Sequence, residues 1–404
     1  MKYDFSSLID RHGMDSIAVD SWGEIPGMAP NAPAEGFDRI PMWVADMNFA
    51  TVPTVQEHII QRAQHPMFGY FNPRPEYFDR IIEWQSRRNG VEGLAPEHIG
   101  YENGVLGGVV STLRAYAQPG DAVLVHSPTY IGFTKSIEAA GYRIVHSPLK
   151  LDNQGVWRMD FEDMECKLAQ NHIYAAVFCS PHNPCGRVWE RDEIERAMDI
   201  YRQHDCVVIS DEIWSDIILP GHKHIPTQSV SEDARMRTVA LYAPSKTFNL
   251  AGLVGSYHII YNETLRDRVC AVSNKTHYNE MNVLSMHALI GAYQPQGYEW
   301  VDELNQVLAG NIEYFCDYVD EHFEGVSYSR PQGTYMVFLD CTEWCREHGR
   351  DIQWLLDEGA RVGVGYQDGR PFHGPCHIRV NLALPLSRVR EACDRLDRYV
   401  FNAR

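Results

Sequence analysis

Short apolar runs alternate with amphipathic stretches through the middle of the chain. The runs are rich in β-branched residues and are predicted to be buried strands, at 122–126, 143–146, 174–179, 206–210, 238–242 and 256–261. Amphipathic stretches before and between these runs predict helices at 107–117, 130–140 and 191–204. Strands that are apolar along their whole length and alternate with helices are typical of a mostly parallel sheet covered on both faces.

The two flanks of this region have different patterns. Residues 1–45 are rich in proline and glycine, which predicts an irregular arm with one short helix near 6–11. A short extended segment at 40–46 and helices at 53–64 and 75–89 come next. Beyond residue 290, longer helical patterns at 298–323 and 351–358 lie among short strands at 335–339 and 377–380.

These patterns together predict an α/β protein with two domains. A large domain, 46–290, contains the mostly parallel sheet with helices on both faces. A smaller α+β domain, 291–404, follows it, and the arm at 1–45 forms part of that smaller domain. No repeat or Ser/Gly-rich linker separates the two domains, so we expect them to pack closely.

Composition narrows the classes of partner. Of the 404 residues, 44% are apolar and 22% are charged, which is ordinary for a globular protein. The formal net charge of -18 disfavours nucleic acid or an anionic membrane as a binding partner. No apolar stretch reaches the roughly 18 residues needed to cross a bilayer. The N-terminal residues lack the apolar core of a signal peptide. We therefore expect a cytoplasmic protein.

A polar or aromatic side chain follows each of four predicted strands. In chain order these side chains are Tyr130, Asn183, Asp211 and Lys246. Ligands of open α/β sheets bind beyond the carboxyl ends of the strands, where neighbouring strands end at one edge. The four side chains are therefore expected to converge on one site.

Lys246 indicates which chemistry this site performs. Desolvation disfavours a charged ammonium, and a deprotonated amine forms a Schiff base with an aldehyde. Asp211 suits a protonated ring nitrogen, Tyr130 suits stacking on the ring, and Asn183 suits a phenolic oxygen. Each feature alone has a more ordinary explanation, such as a surface lysine, a helix cap or a turn. Together they favour a phosphorylated heteroaromatic aldehyde.

A phosphate site is predicted where the sequence Glu102-Asn-Gly104-Val-Leu-Gly107 opens a helix. The first N–H groups of a helix have no partner within the helix and attract anions. We expect Gly104, Val105 and Leu106 to bind the phosphate there, with Ser245 beside the lysine.

Six motifs carry a family resemblance. They are Pro41-Met-Trp-Val-Ala-Asp46, Phe68-Gly-Tyr70, Ser180-Pro-His-Asn-Pro-Cys-Gly-Arg-Val-Trp189, Ser210-Asp-Glu-Ile213, Ala243-Pro-Ser-Lys-Thr-Phe-Asn-Leu-Ala-Gly252 and His377-Ile-Arg-Val-Asn381. With them the chain resembles the fold-type I pyridoxal-phosphate enzymes of the aminotransferase class I/II superfamily. More narrowly, it resembles the cystathionine β-lyase branch of the MalY/PatB type.

The resemblance implies a role for each site residue. Lys246 is implied as the catalytic Schiff-base lysine and Asp211 as the partner of the pyridine nitrogen, with pyridoxal 5'-phosphate as cofactor. Arg379 is implied to bind the substrate α-carboxylate, and Asn183 and Trp43 are implied to lie beside the substrate. Tyr70 is implied to reach the phosphate held by a neighbouring subunit, which makes the active unit a homodimer with shared sites.

Four positions depart from the family pattern. Trp214 stands where aminotransferases have tyrosine, although an indole N–H can still donate to the phenolic oxygen. Asn48 replaces an aspartate, and Ala243 lacks the hydroxyl often found three residues before the lysine. Val254 occupies the place of a phosphate-binding arginine, which favours the lyase branch.

The sequence is compatible with three functions. The first is a carbon–sulfur β-lyase that cleaves cystathionine or S-substituted cysteines, the second an aminotransferase, and the third a non-catalytic binding protein with the cofactor fold. Two other sites are disfavoured. The pair His222 and His224 lies in a Pro/Gly loop without a third ligand, so we expect no metal and a solvated loop. Cys179 and Cys185 have no base nearby in sequence.

Overall fold

The computed structural model describes residues 1–402 of the chain. Its strands are β1 (Ile40–Met42), β2 (Ile99–Asn103), β3 (Ala122–Ser127), β4 (Arg143–Pro148), β5 (Lys150–Leu151), β6 (Trp157–Arg158), β7 (Ala175–Cys179), β8 (Val207–Asp211), β9 (Thr238–Tyr242), β10 (Gly255–Ile259), β11 (Ser327–Tyr328), β12 (Met336–Asp340), β13 (Val364–Asp368) and β14 (His377–Asn381). Its α-helices are α1 (Ile17–Asp20), α2 (Pro53–Ala63), α3 (Pro75–Asn89), α4 (Val105–Tyr116), α5 (Ile131–Ala139), α6 (Phe161–Asn171), α7 (Arg191–Gln203), α8 (Glu232–Arg237), α9 (Pro244–Thr247), α10 (Glu263–Lys275), α11 (Val283–Ala292), α12 (Pro295–His322), α13 (Thr342–His348), α14 (Ile352–Arg361) and α15 (Leu386–Leu396).

The central sheet has seven strands in the order β2-β10-β9-β8-β7-β3-β4. Five adjacent strands of this sheet are parallel to one another, namely β4, β3, β7, β8 and β9. Strand β10 runs antiparallel to both of its neighbours, β9 and β2. The predicted mostly parallel sheet is confirmed. The predicted strand at 256–261 is therefore the one that breaks the parallel order.

Both faces of the central sheet are buried under helices. In β3, Val123 and Val125 belong to a core built with α4, α5 and α10, whereas Leu124 belongs to a core built with α6 and α7. Burial of one such side chain contributes ~1.5–3 kcal/mol to folding. This two-sided burial explains why the strands are apolar without alternation.

A second sheet of five strands has the order β1-β13-β14-β12-β11. Strand β1 pairs in parallel with β13, and Ile40 lies opposite Val364. The end of the N-terminal arm therefore enters a sheet whose other strands come from the C-terminal part of the chain. The domain limits at residues 45 and 290 stay predictions.

Two expectations about local structure are wrong. No helix forms near 6–11, because the Asp4 carboxylate accepts the N–H groups of Ser6 and Ser7 at 2.8 and 3.1 Å and closes a turn instead. The loop with His222 and His224 is not simply solvated, because His224 is buried with its Nε2 2.7 Å from Glu212 Oε2. A buried carboxylate requires such a partner.

Within residues 1–402, none of the helices combines the length and apolarity that crossing a bilayer requires.

Candidate active site

A cavity of about 330 Å³ lies beyond the carboxyl ends of β3, β7, β8 and β9. Its lining includes Tyr130, Asn183, Asp211 and Lys246, the four residues expected to converge. The sheet register explains the convergence. Cys179 at the end of β7 lies opposite Asp211 at the end of β8, so the segments that follow these strands leave the sheet at one edge.

Lys246 lies in α9, the short helix that follows β9. Its Nζ donates a hydrogen bond to the carbonyl oxygen of Ala45 at 2.9 Å and lies 5.7 Å from the centre of the Trp214 ring. Burial, with the nearby Arg379 guanidinium as a second cause, lowers the pKa of this ammonium to about 8. The amine therefore loses its proton more readily than a surface lysine does.

Asp211 is a buried carboxylate at the last position of β8. Its Oδ1 accepts the backbone N–H of Ile213 at 3.0 Å. Burial raises the pKa of this carboxyl to about 7, although the Ile213 N–H and the charge of Lys246 act in the opposite direction. A cationic ring nitrogen in the cavity would stabilise the ionised form, so the donor set fits a protonated pyridine.

The start of α4 forms another part of the cavity lining. Gly104 precedes this helix with a φ of +86° and leaves the first turn without a side-chain cap, so its N–H groups face a possible anion. Gly104, Val105, Leu106 and Ser245 all line the cavity there.

Val254 lies in the same part of the cavity lining. Its Cγ1 would be 3.6 Å from a Cβ placed on Gly104, which puts an apolar side chain beside the start of α4. Ser256 also lines this region, although its hydroxyl already donates to the Glu102 carbonyl oxygen at 2.9 Å. The lining therefore offers backbone N–H groups and the Ser245 hydroxyl as hydrogen-bond donors, and among the described residues it contains no arginine.

Arg379 projects from β14 of the second sheet and is buried. Its three hydrogen bonds go to neutral oxygens, namely those of the Asn183 side chain, the Trp43 backbone and the Gln367 side chain, at 3.2, 3.3 and 3.2 Å. Its Nε is buried without a partner. A buried guanidinium with only neutral acceptors is suited to bind a carboxylate.

The two tryptophans differ in how they approach the site. Trp214 lines the cavity and packs edge-on against Tyr335, with ring centres 4.8 Å apart. Trp43 is completely buried, and its indole N–H donates to the Ala18 carbonyl oxygen at 3.0 Å. Trp43 therefore approaches Arg379 through its backbone oxygen, and its ring points to the arm.

Tyr70 is not brought together with the other predicted site residues within this chain. It is fully exposed between α2 and α3. It lines a separate groove with Phe68, Tyr101 and Met281.

An outer cavity of about 780 Å³ adjoins the first one and shares Tyr130 and Lys246 with it. Arg379 and the N-terminal arm complete its wall. In that wall Arg11 forms an ion pair with Asp46 and donates to Asn48 Oδ1 at 3.0 Å. Asn48 thus still accepts a hydrogen bond through its Oδ1, whereas its Nδ2, which an aspartate would not have, is buried without a partner.

Sequence reasoning missed several neighbours of the site. Gln367 holds Arg379 but lies in β13, a strand that the pattern did not predict. The hydroxyl of Tyr335 donates to the Ala45 carbonyl oxygen at 3.1 Å, the oxygen that also accepts from Lys246. Tyr335 could have been found from the sequence, because it is the first residue of the predicted strand 335–339. No pattern in the sequence indicated that Arg11 would lie at the site.

Comparison with known proteins agrees with this arrangement. The sequence profile described as aminotransferase class I and II matches residues 40–396. The chain is 32% identical to cystathionine beta-lyase PatB of Bacillus subtilis, covering 97% of this chain and 98% of that protein. It is also 32% identical to protein MalY of Escherichia coli, covering 96% of each chain.

Among solved structures, the PLP-bound C-S lyase from Staphylococcus hominis superposes with a TM-score of 0.88. The two sequences are 28% identical, and the match covers 98% of both chains. With a family profile that spans most of its length, a sheet that positions Lys246 and Asp211 in one cavity, and relatives aligned from end to end, the chain belongs to the aminotransferase class I and II family.

Proposed function

We propose that the protein is a pyridoxal-phosphate-dependent carbon–sulfur β-lyase that releases a thiol from cystathionine or another S-substituted cysteine. The observation that carries the proposal is that a buried carboxylate and a buried guanidinium lie near Lys246 without being hydrogen-bonded to a group of opposite charge. Asp211 is a buried carboxylate with a raised pKa, and Arg379 is a buried cation with only neutral oxygen partners. A pyridinium and an amino-acid carboxylate would satisfy both.

The residues of the inner cavity fit the cofactor. When bound, pyridoxal phosphate supplies an electron-withdrawing ring that stabilises negative charge at the α-carbon of an amino acid. Asp211 would pair with its ring nitrogen, Asn183 and the Trp214 indole with its phenolic oxygen, and Tyr130 with its ring face. The start of α4 and Ser245 would hold the phosphate.

Lys246 and Arg379 act on the substrate. Arg379 binds the α-carboxylate, and its contact with Asn183 links carboxylate binding to the cofactor cavity. Lys246, whose pKa is lowered to about 8 by burial, removes the proton from the α-carbon as general base. Loss of that proton precedes departure of the sulfur from the β-carbon.

An aminotransferase is the second candidate, because the same residues serve both reactions and the family includes both. Two observations favour the lyase. The relative PatB is a cystathionine beta-lyase by name, and the similar Staphylococcus hominis structure is that of a C-S lyase. Val254 replaces the arginine expected of many aminotransferases. The third candidate is a non-catalytic binding protein, for which we expect no turnover of any amino-acid substrate.

Product analysis tests the choice between the two reactions. We expect cystathionine or another S-substituted cysteine to yield pyruvate, ammonia and thiol in equal amounts, because elimination breaks the bond between the β-carbon and sulfur. Alanine lacks a leaving group and should release none of these products. Steady amino transfer to a 2-oxo acid without release of thiol would overturn the lyase proposal.

The active unit is proposed to be a homodimer in which Tyr70 completes the site of the other subunit. Two features support this arrangement: Tyr70 is fully exposed, and it lies on a groove separate from the cavity of its own chain.

Subunit exchange tests the shared site. Lys246→Ala and Tyr70→Ala proteins, each nearly inactive alone, should regain about a quarter of wild-type activity when mixed, because half of the dimers are hybrids with one intact site each. The matched control is a mixture of Lys246→Ala with Asp211→Asn. Asp211 and Lys246 lie in one chain's cavity, so this mixture should stay inactive. Hybrid dimers that form without activity in the first mixture would show that Tyr70 does not act across the interface.

A further inference from the structure

The outer cavity adjoins Lys246 and Arg379, the two residues that act on the substrate in the proposed function. If Arg379 holds the carboxylate and Lys246 lies at the α-carbon, as the proposed function requires, the remaining side of the substrate points away from the cofactor cavity. The outer cavity starts at these two residues and ends at the N-terminal arm. Its wall therefore determines which S-substituents bind well.

The arm supplies four exposed apolar side chains to this wall, which we call the apolar rim. They are Ile9, Met14, Ile17 and Met28, with exposed fractions of 50%, 72%, 51% and 46%. Large exposed apolar side chains grouped on one cavity mark a binding surface. Methionine is flexible and polarisable, so a rim with two methionines can adapt to apolar groups of different shape.

The charged residues of the wall are poorly suited to a second amino-acid head group. Arg11 and Asp46 are paired with each other, and Arg11 also donates to Asn48. The carboxylate of Asp10 accepts the backbone N–H of His12 at 3.0 Å. Asp15 and Lys135 line the cavity too, but both are exposed to water, where an ion pair contributes little to binding.

We propose that the preferred substrates are L-cysteine conjugates whose sulfur carries an apolar alkyl or aryl group. The apolar rim would shield that group from water, and the proposal rests on the proposed β-lyase function. In the reaction the bond between the β-carbon and sulfur breaks, and the sulfur leaves with the electron pair and takes up a proton as a thiol. The other fragment takes up one water and leaves as pyruvate and ammonia, so no oxidant or reductant is needed.

Substrate competition tests the preference. The holoenzyme should have a kcat/KM for S-benzyl-L-cysteine at least about tenfold above that for cystathionine and for S-methyl-L-cysteine, because only the benzyl group is both apolar and long enough to reach the rim. A kcat/KM for cystathionine equal to or above that for S-benzyl-L-cysteine would overturn the proposal.

Rim variants test the assignment to these residues. The double variant Met14→Ser/Ile17→Ser should lose about tenfold in kcat/KM for S-benzyl-L-cysteine and stay within about twofold of wild type for S-methyl-L-cysteine. Leu8→Ser is the matched control, because Leu8 is an exposed apolar residue of the same arm that does not line the outer cavity. It should leave both values unchanged. Equal losses for both substrates together with a changed oligomeric state would assign the rim to a subunit contact instead.

A binding measurement separates failure of this inference from failure of the proposed function. Carbon isosteres, in which a methylene replaces the sulfur, cannot be cleaved, and calorimetry gives their Kd directly. The isostere of S-benzyl-L-cysteine should bind at least about tenfold more tightly than that of cystathionine, and the rim variant should lose the difference. If the isosteres bind as expected but no substrate releases pyruvate, the proposed lyase function is wrong and the proposed binding of apolar groups at the rim is supported. If pyruvate is released but the two isosteres bind equally well, only the proposed role of the apolar rim is wrong.

Discussion

Lys246→Ala is expected to lower β-elimination by at least about 10⁴-fold, because one side chain is both the covalent attachment point of the cofactor and the base. The fold should tolerate the change. The Ala45 carbonyl oxygen that accepts from Lys246 also accepts from the Tyr335 hydroxyl, so no buried acceptor is left without a partner. Pyruvate release measures the activity.

Two further measurements make the assignment of Lys246 specific. Borohydride reduction of the wild-type holoenzyme followed by peptide mapping should label Lys246, and a label on a different lysine would contradict the assignment. Lys150→Ala is the control variant, since Lys150 is an exposed lysine paired with Asp160 at the surface. It should keep wild-type activity.

Asp211→Asn is expected to lower turnover by about 10²–10⁴-fold while cofactor stays bound, because a neutral side chain cannot hold the ring nitrogen in its protonated form. The amide oxygen of asparagine can still accept the Ile213 N–H, so the local backbone should keep its geometry. Near-normal turnover with full cofactor occupancy would disprove the role of Asp211.

The stability of the cofactor-free protein supplies a readout of its own. Burial raises the folded-state pKa of Asp211 to about 7, above the usual value of 3.8. An acid whose pKa is raised by folding destabilises the protein as pH rises from the unfolded towards the folded value, because ionisation is easier in the unfolded chain. At pH 8 the cofactor-free Asp211→Asn variant should therefore have a Tm equal to or above that of wild type. A large fall in Tm would indicate a structural role instead.

The sequence predicts the parts of the site that depend on local pattern. Apolar runs locate most strands of the central sheet, and the rule that ligands bind beyond strand ends groups Tyr130, Asn183, Asp211 and Lys246 from the sequence alone. The structure brings these four residues to one cavity. The roles assigned to them stay predictions until the variants are measured.

Other parts of the site depend on contacts between distant segments. Gln367 meets Arg379 across paired strands, and Arg11 meets Asp46 from the arm, and neither contact leaves a periodic signal in the chain. His224 is drawn into the core by the carboxylate of Glu212, which a local pattern around His224 cannot reveal. A strand pattern also does not say which way Trp43 points.

The arm that closes the outer cavity lies far in sequence from the residues around the inner one. The rim comes from positions 9–28, whereas Tyr130, Asp211 and Lys246 belong to the central sheet and its loops. Substitutions at the four side chains of the apolar rim, which do not line the cofactor cavity, can therefore accumulate without disturbing it. In evolution, such a separation allows a duplicated gene to change its specificity for sulfur-containing substrates while the catalytic residues stay the same.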